Sequence, residues 1–122
     1  MENKLAVTYN TTIDQGSDWY FTVTYANPNG TPINITGYTA AMQMRATPQS
    51  VNPVLTLTTQ NGGITITGNT GTVELHATAA QTEDIVEGSY AYDIEIYSPA
   101  SPTTVITRLV QGQILVSAEV TR

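Results

Sequence analysis

Apolar and polar residues alternate with a period of two along most of this chain, a pattern typical of strands that bury one face. The clearest example covers residues 19–25, where large apolar side chains alternate with Tyr20, Thr22 and Thr24. Because successive side chains of a strand point to opposite faces, this segment predicts a buried apolar face and an exposed threonine face. The same alternation predicts further strands at 5–9, 38–45, 55–57, 64–66, 73–75, 90–97 and 104–120.

Turn-forming residues separate these strands at short intervals. Pro, Gly, Asn and Ser cluster at 27–32, 47–53, 61–63, 68–71 and 98–102, and such clusters favour tight turns and hairpin loops. Only residues 77–86 could form a helix, of a few turns at most. This order predicts an all-β fold, an immunoglobulin-like antiparallel β-sandwich of about 7–9 strands, in a single domain that spans residues 1–122.

The large apolar positions of the clearest strands define the predicted core. These residues are Trp19, Phe21, Val23, Tyr25, Tyr92, Ile94 and Val116. The last strand departs from strict alternation near Leu109 and Val110, and Gly112 lies inside it. An interrupted alternation with an internal glycine predicts a β-bulge or a close approach by another backbone segment.

Composition narrows the function classes. The chain has four cationic and ten acidic side chains and a net charge of −6, which argues against binding nucleic acid by neutralising phosphates. It has no cysteine, so disulfides, cysteine-ligated zinc and thiol nucleophiles are excluded. No apolar run has the length of a membrane span or of a leader peptide, so we expect no membrane contact, and no motif calls for a cofactor.

The surface is expected to be weakly charged. The sequence contains 22 threonines and one lysine, and only 11% of its residues are charged. Such a surface suits a protein that neighbouring chains cover. The alternative interpretation is a monomer that its net negative charge keeps in solution.

Three groups of residues are candidates for a reaction site or a metal site. His76 is expected on the exposed face of a strand, and no nucleophile motif accompanies it as a catalytic base would require. Asp14 and Asp18 flank a short loop and have too few ligands around them for a dedicated calcium loop. Residues 83–87 carry three carboxylates, which we interpret as a solvated acidic turn. We therefore predict no catalytic and no metal-binding residues.

One charged trio is predicted to be structural. Asp93 and Glu95 lie two residues apart on one face of their strand, and Arg108 lies in the next strand. Opposite charges that face each other across a hairpin stabilise strand pairing by up to about 1 kcal/mol. The sequence thus predicts an ion pair between Arg108 and Asp93 or Glu95, with a binding role for the trio as the alternative.

Five segments, taken together and in order, resemble small structural proteins of tailed bacteriophages, in particular the amino-terminal domain of phage baseplate upper proteins. Within them, a Gly-Ser-Tyr-Ala-Tyr-Asp motif begins at Gly88 and an Arg-Leu-Val-Gln-Gly motif begins at Arg108. The resemblance covers nearly the whole chain. The five segments are residues 13–19, 32–45, 61–66, 87–95 and 107–122.

The resemblance implies an immunoglobulin-like, non-enzymatic protein of the virion, present in the host cytoplasm during assembly. Its expected role is an assembly adaptor of the tail, baseplate or fibre attachment, and the alternative is a capsid decoration (cement) protein. Members fused to a fibre continue beyond this domain, whereas this chain ends at Arg122, so we expect it to bind separate virion proteins. Its expected partners are tail, baseplate, fibre or capsid proteins and further copies of itself.

Strand edges are the predicted contact surface. An edge strand exposes unpaired backbone groups, which monomeric proteins usually protect with lysine or proline. Lysine is almost absent here, and the prolines concentrate in predicted loops. The sequence leaves open which edge is used, and the segments 5–9 and 104–120 are the candidates, because the ends of a chain are free to reach out to a neighbour.

Overall fold

The computed structural model describes residues 7–100 and 103–121. Leu5 and Ala6 of the predicted first strand, and Ser101 and Pro102 of the predicted last loop, lie outside the described residues. Within the described ranges the strands are β1 (Val7–Thr8), β2 (Thr11–Asp14), β3 (Trp19–Thr24), β4 (Thr39–Arg45), β5 (Leu55–Thr58), β6 (Ile64–Thr67), β7 (Thr72–Ala77), β8 (Gly88–Tyr97) and β9 (Ile106–Ser117). A 3₁₀ turn (Gly68–Thr70) and the helix α1 (Ala79–Glu83) complete the elements.

The described strands form an all-β sandwich of two sheets, as the alternation predicts. The larger sheet has the order β1-β9-β8-β4-β5, with β2 also paired to β9, and the smaller has the order β3-β7-β6. Most of the strand pairs are antiparallel, as predicted, and β1 and β2 run parallel to β9. Parallel neighbours need a long crossover connection, and here the intervening elements of the sandwich supply it.

The last segment, one of the two candidate edges, does not lie at an edge. β9 lies inside the larger sheet, with β8 on one side and β1 and β2 on the other. β1 and β2 cover the second side of β9, so its backbone groups there are bonded within the chain. The prediction that the amino-terminal segment lies at an edge is confirmed for the residues that the structure describes.

The core fills the space between the sheets with side chains from alternate positions. Ile13, Met42, Met44, Ile94 and Ile114 are all 0% exposed. Burying one such side chain stabilises the fold by roughly 1.5–3 kcal/mol. The alternation therefore places the apolar face of most strands correctly, and β1 is an exception, because Val7 is 61% exposed.

Of the seven predicted core residues, the structure buries Trp19, Tyr92, Ile94 and Val116 and leaves three at the margin. Phe21, Val23 and Tyr25 are only half-buried, although they pack against the core. Phe21 and Val23 belong to β3, an edge strand of the smaller sheet, and Tyr25 follows its end. The space beside these three residues opens to solvent between the two sheets.

The irregular region of β9 contains both predicted features. Ile94 is opposite Val110 and Glu95 is opposite Arg108, so Leu109 is the extra residue of a β-bulge. Because of this extra residue, Leu109 and Val110 are both buried although they are adjacent in sequence. A Cβ atom at Gly112 would overlap the carbonyl oxygen of Tyr9, so the predicted close approach is made by the β1–β2 connection.

Candidate docking site at the sheet edges

The predicted ion pair forms between Arg108 and Asp93. Arg108 Nε lies 3.4 Å from Asp93 Oδ2, and the Arg108 guanidinium also donates to Gln111 Oε1 at 3.1 Å. Glu95 is opposite Arg108 in the strand register, but its carboxylate accepts a hydrogen bond from the Tyr97 hydroxyl at 3.0 Å instead. Of the two carboxylates of the trio, Asp93 is therefore the ion-pair partner.

Opposing effects act on the Asp93 carboxyl. Burial raises its pKa, and the nearby Glu95 carboxylate raises it further, while Arg108 and Arg45 act in the opposite direction. These two arginines are the cationic side chains of the residues 7–100 and 103–121, and both lie on the outer face of the larger sheet. Their positive charges favour the ionised form of the Asp93 carboxyl and so reduce the free-energy cost of its partial burial.

His76 contacts Tyr20 and Asp18. Its ring stacks on that of Tyr20, with centroids 4.4 Å apart and planes nearly parallel. Its Nε2 lies 3.8 Å from Asp18 Oδ1 and has no hydrogen-bond partner among the described atoms. The same Asp18 oxygen accepts the Ala79 N–H at 2.7 Å, so this carboxylate serves the start of α1.

The loop between β2 and β3 is held by the helix. The fully buried Thr82 hydroxyl accepts the Gly16 N–H at 3.0 Å and donates to the Ser17 carbonyl at 2.9 Å.

Glu83, Asp84 and Glu87 are exposed. In the part of the chain that the structure describes, no three His, Cys, Asp or Glu side chains are placed to hold a metal ion.

The outer edge of the larger sheet at β5 is closed by a side chain. Asn61 Oδ1 accepts the Thr58 N–H at 2.9 Å, and Asn61 Nδ2 donates to the Thr56 carbonyl at 3.0 Å. The Asn61 amide thus takes the place that a neighbouring strand would occupy. From the sequence, Asn61 is predicted only as a turn residue, because nothing in the alternation identifies the edge that it covers.

The edge of the smaller sheet at β3 is open. Just beyond the last pair of the β3–β7 ladder, which is Thr24 opposite Thr72, Tyr25 donates its N–H to the Gly71 carbonyl at 2.7 Å. Since the residues of an antiparallel strand bond alternately to one side and the other, the N–H and C=O groups of Tyr20, Thr22 and Thr24 point away from β7. Within residues 7–100 and 103–121, β3 pairs with β7 alone.

The remaining two edges, at β2 and β6, are shorter than the edge at β3. β2 has only four residues, and among them the Asp14 carbonyl already accepts the Ser17 N–H at 3.1 Å. At the end of β6, the Gly68 carbonyl accepts the Ile35 N–H at 2.9 Å. β3, with six residues and no charged side chain, is the longest open edge among the described strands.

An apolar groove of about 500 Å³ runs beside the open edge. Residues 21–26 form one wall, and Val7, Tyr9 and residues 107–110 form the other. The Tyr9 ring crosses between the sheets and stacks on Phe21 with centroids 5.5 Å apart. Among the described residues that line the groove, one is charged, Arg108, and none is a carboxylate.

Comparisons with known proteins leave the family of the chain unassigned. Neither the scan against protein-family models nor the search of curated proteins gives a match. Among the residues that the structure describes, no helix is both long enough and apolar enough to cross a membrane. The geometry of the sheets, and above all the open edge of β3, is therefore the basis for a functional proposal.

Proposed function

We propose that this chain is a structural protein of a virion that joins neighbouring protein chains through the open edge of β3. The proposal is carried by one observation: the backbone groups of Tyr20, Thr22 and Thr24 have no partner strand among the described residues, and their strand is uncharged. An open edge strand is a template for pairing with another chain, and addition of a strand is a common mode of protein recognition.

The half-buried aromatic residues support the same proposal. Phe21 and the exposed Tyr9 form a stack at the margin of the core, and a neighbouring chain beside β3 would remove part of this apolar surface from water. Each additional Å² of apolar surface buried contributes roughly 25 cal/mol. The low charge of the chain is consistent with a surface covered by neighbours.

The virion, and a place in the tail, baseplate or fibre attachment, come from the sequence resemblance. We also propose on that basis that the sandwich is immunoglobulin-like and that the protein has no catalytic role. The contacts of His76, which are a ring stack and a distant carboxylate, support a structural role for this histidine.

Purified particles test the proposal. Virions from the source of this sequence are banded in a density gradient, and the protein is quantified against the major capsid protein by mass spectrometry. Tens of copies per particle are expected for a tail, baseplate or fibre adaptor. Hundreds of copies would indicate capsid decoration instead of an adaptor role. Absence from the particles would refute a structural role in the virion.

A further inference from the structure

We propose that the open edge of β3 pairs with the same edge of a second copy of this chain, as an antiparallel pair around a two-fold axis at Thr22. This inference rests on the proposed function, because it identifies one neighbour that the edge would bind. It joins two smaller sheets into one continuous sheet of six strands, with the order β6-β7-β3-β3-β7-β6.

The backbone groups of β3 are self-complementary. In this register, Thr22 is opposite Thr22 of the second copy, and Tyr20 is opposite Thr24 of the second copy. These are the three residues whose N–H and C=O groups point away from β7. Each opposing pair can therefore exchange both of its hydrogen bonds without disturbing the ladder within either chain.

The side chains match in the same register. Phe21 is opposite Val23 of the second copy on the inner face, in the type of pair whose side chains approach most closely. Both residues are only half-buried in the single chain, and aromatic side chains pair well with β-branched ones. On the outer face, Thr22 is opposite Thr22 and Tyr20 is opposite Thr24 of the second copy, and no like charges face each other.

Charge does not oppose a second copy at this edge, although the chain has a net charge of −6. β3 carries no charged side chain, and its nearest charged neighbour in the ladder on that face is Glu74, which is opposite Thr22 on β7. The two Glu74 carboxylates would be three strand spacings apart, about 14 Å, beyond the screening length at physiological salt.

The contact is small, so the dimer should be weak. Stable dimers bury roughly 1,200–2,000 Å², and one pair of six-residue strands buries less. We expect the purified full chain to be mainly monomeric at about 10 µM and mainly dimeric at about 1 mM, since occupancy follows mass action. Sedimentation equilibrium should show the mass rising from 13.1 kDa towards twice that value.

Two matched substitutions test the position of the contact. Thr22→Lys places two cations opposite each other at the axis and should lower the association constant at least tenfold. Thr65→Lys is the control, because Thr65 is exposed and flanks Glu74 from the opposite side, on β6. It should leave the association constant within about twofold of the original. Equal thermal melting curves would show that both variants fold.

Cross-linking gives an independent test, because the chain has no native cysteine. At the two-fold axis the Cα atoms of position 22 would be about 5.5 Å apart, within the range that a disulfide spans. Thr22→Cys should therefore form a covalent dimer with oxidised glutathione, and Thr65→Cys should not.

A chain that stays monomeric at about 1 mM would overturn the inference. So would association that Thr22→Lys does not weaken, or cross-linking that is as efficient at position 65 as at position 22. These outcomes are distinct from failure of the proposed function, because a chain that is abundant in particles but monomeric alone would refute the two-fold pair and leave the structural role intact.

Discussion

At Gly112 the amino-terminal segment passes closest to β9. The Tyr92 hydroxyl donates to the Tyr9 carbonyl at 2.6 Å from the β8 side, and Asn10 Oδ1 accepts the Gln113 N–H at 3.0 Å. The absence of a side chain at Gly112 lets these bonds form. One residue without a Cβ atom therefore allows β1 and β2 to pair with the last strand.

Gly112→Ala tests this role. A Cβ atom there would overlap the Tyr9 carbonyl, so we expect the free energy of unfolding to fall by about 2–4 kcal/mol, measured by urea denaturation. Gly30→Ala is the control, because Gly30 also has a positive φ but nothing lies within 4 Å of the added carbon. It should cost about 1–2 kcal/mol from its backbone conformation alone. Equal losses would show that the close approach at Gly112 is not important.

Tyr92 links pH to stability. Burial raises the pKa of its hydroxyl from 10.0 to about 12, and the neighbouring Tyr9 adds to the shift. The folded chain therefore holds this proton more tightly than the unfolded chain. Its contribution is complete below pH 10 and is lost as the pH rises towards about 12.

Tyr92→Phe should remove that dependence. The hydrogen bond to Tyr9 disappears, so we expect a loss of about 1 kcal/mol at neutral pH. Between pH 10 and 12 the variant should lose less stability than the original chain, measured by urea denaturation at each pH. Parallel stability curves across that window would contradict the assignment of the alkaline transition to Tyr92.

The degree of burial separates Trp19 from Phe21. Trp19 is 7% exposed, so Trp19→Ala should cost about 3–5 kcal/mol. Phe21→Ala should cost less, since Phe21 is half-buried at the groove. Thermal unfolding of the two variants measures the difference. An unchanged melting temperature for Trp19→Ala would be incompatible with its place in the core.

At the scale of elements, the β8–β9 hairpin combines a bulge with a charge pair. The extra residue Leu109 lies between Arg108 and Val110, and Arg108 bonds to Asp93 rather than to Glu95, which is opposite it in the ladder. Both members of the pair are more than a third exposed, so solvent weakens their attraction.

A double-mutant cycle of Asp93→Asn and Arg108→Gln measures this pair. We expect a coupling energy above zero and below about 1 kcal/mol. Arg108→Gln should also raise the pKa of Asp93, because the guanidinium acts to lower it. A carboxyl NMR titration checks the direction, and a pKa that stays the same or falls would show that the two groups do not interact.

Alternation identified the faces of the strands but not their neighbours. It located nearly every strand and confined the helix to the segment that contains Ala79–Glu83. It also anticipated the irregularity at Leu109 and Gly112, because adjacent apolar residues and an internal glycine are local signals. Strand order depends on contacts between distant segments, so the parallel pairing of β1 and β2 with β9 had no local signal. The role of Asn61 at the edge of β5 was hidden for the same reason.

At the scale of the whole molecule, the two sheets differ in how their edges are treated. In the described chain, the larger sheet has a side-chain amide on one edge and short parallel strands on the other, whereas the smaller sheet leaves its six-residue strand β3 unpaired on one side. Monomeric proteins usually protect such an edge against pairing with other chains. The openness of β3 is thus the feature that the proposed assembly role explains.

Hydrogen exchange within assembled particles tests this account most directly. The amides of Tyr20, Thr22 and Thr24 point away from β7, whereas those of Phe21 and Val23 point towards it and provide an internal control on the same strand. Exchange is compared between the dilute free chain and purified virions, with residue resolution from fragmentation mass spectrometry. We predict that the first three amides slow at least tenfold in the particle while the control amides change little. Equal exchange rates at Tyr20, Thr22 and Thr24 in the free and assembled protein would contradict the account.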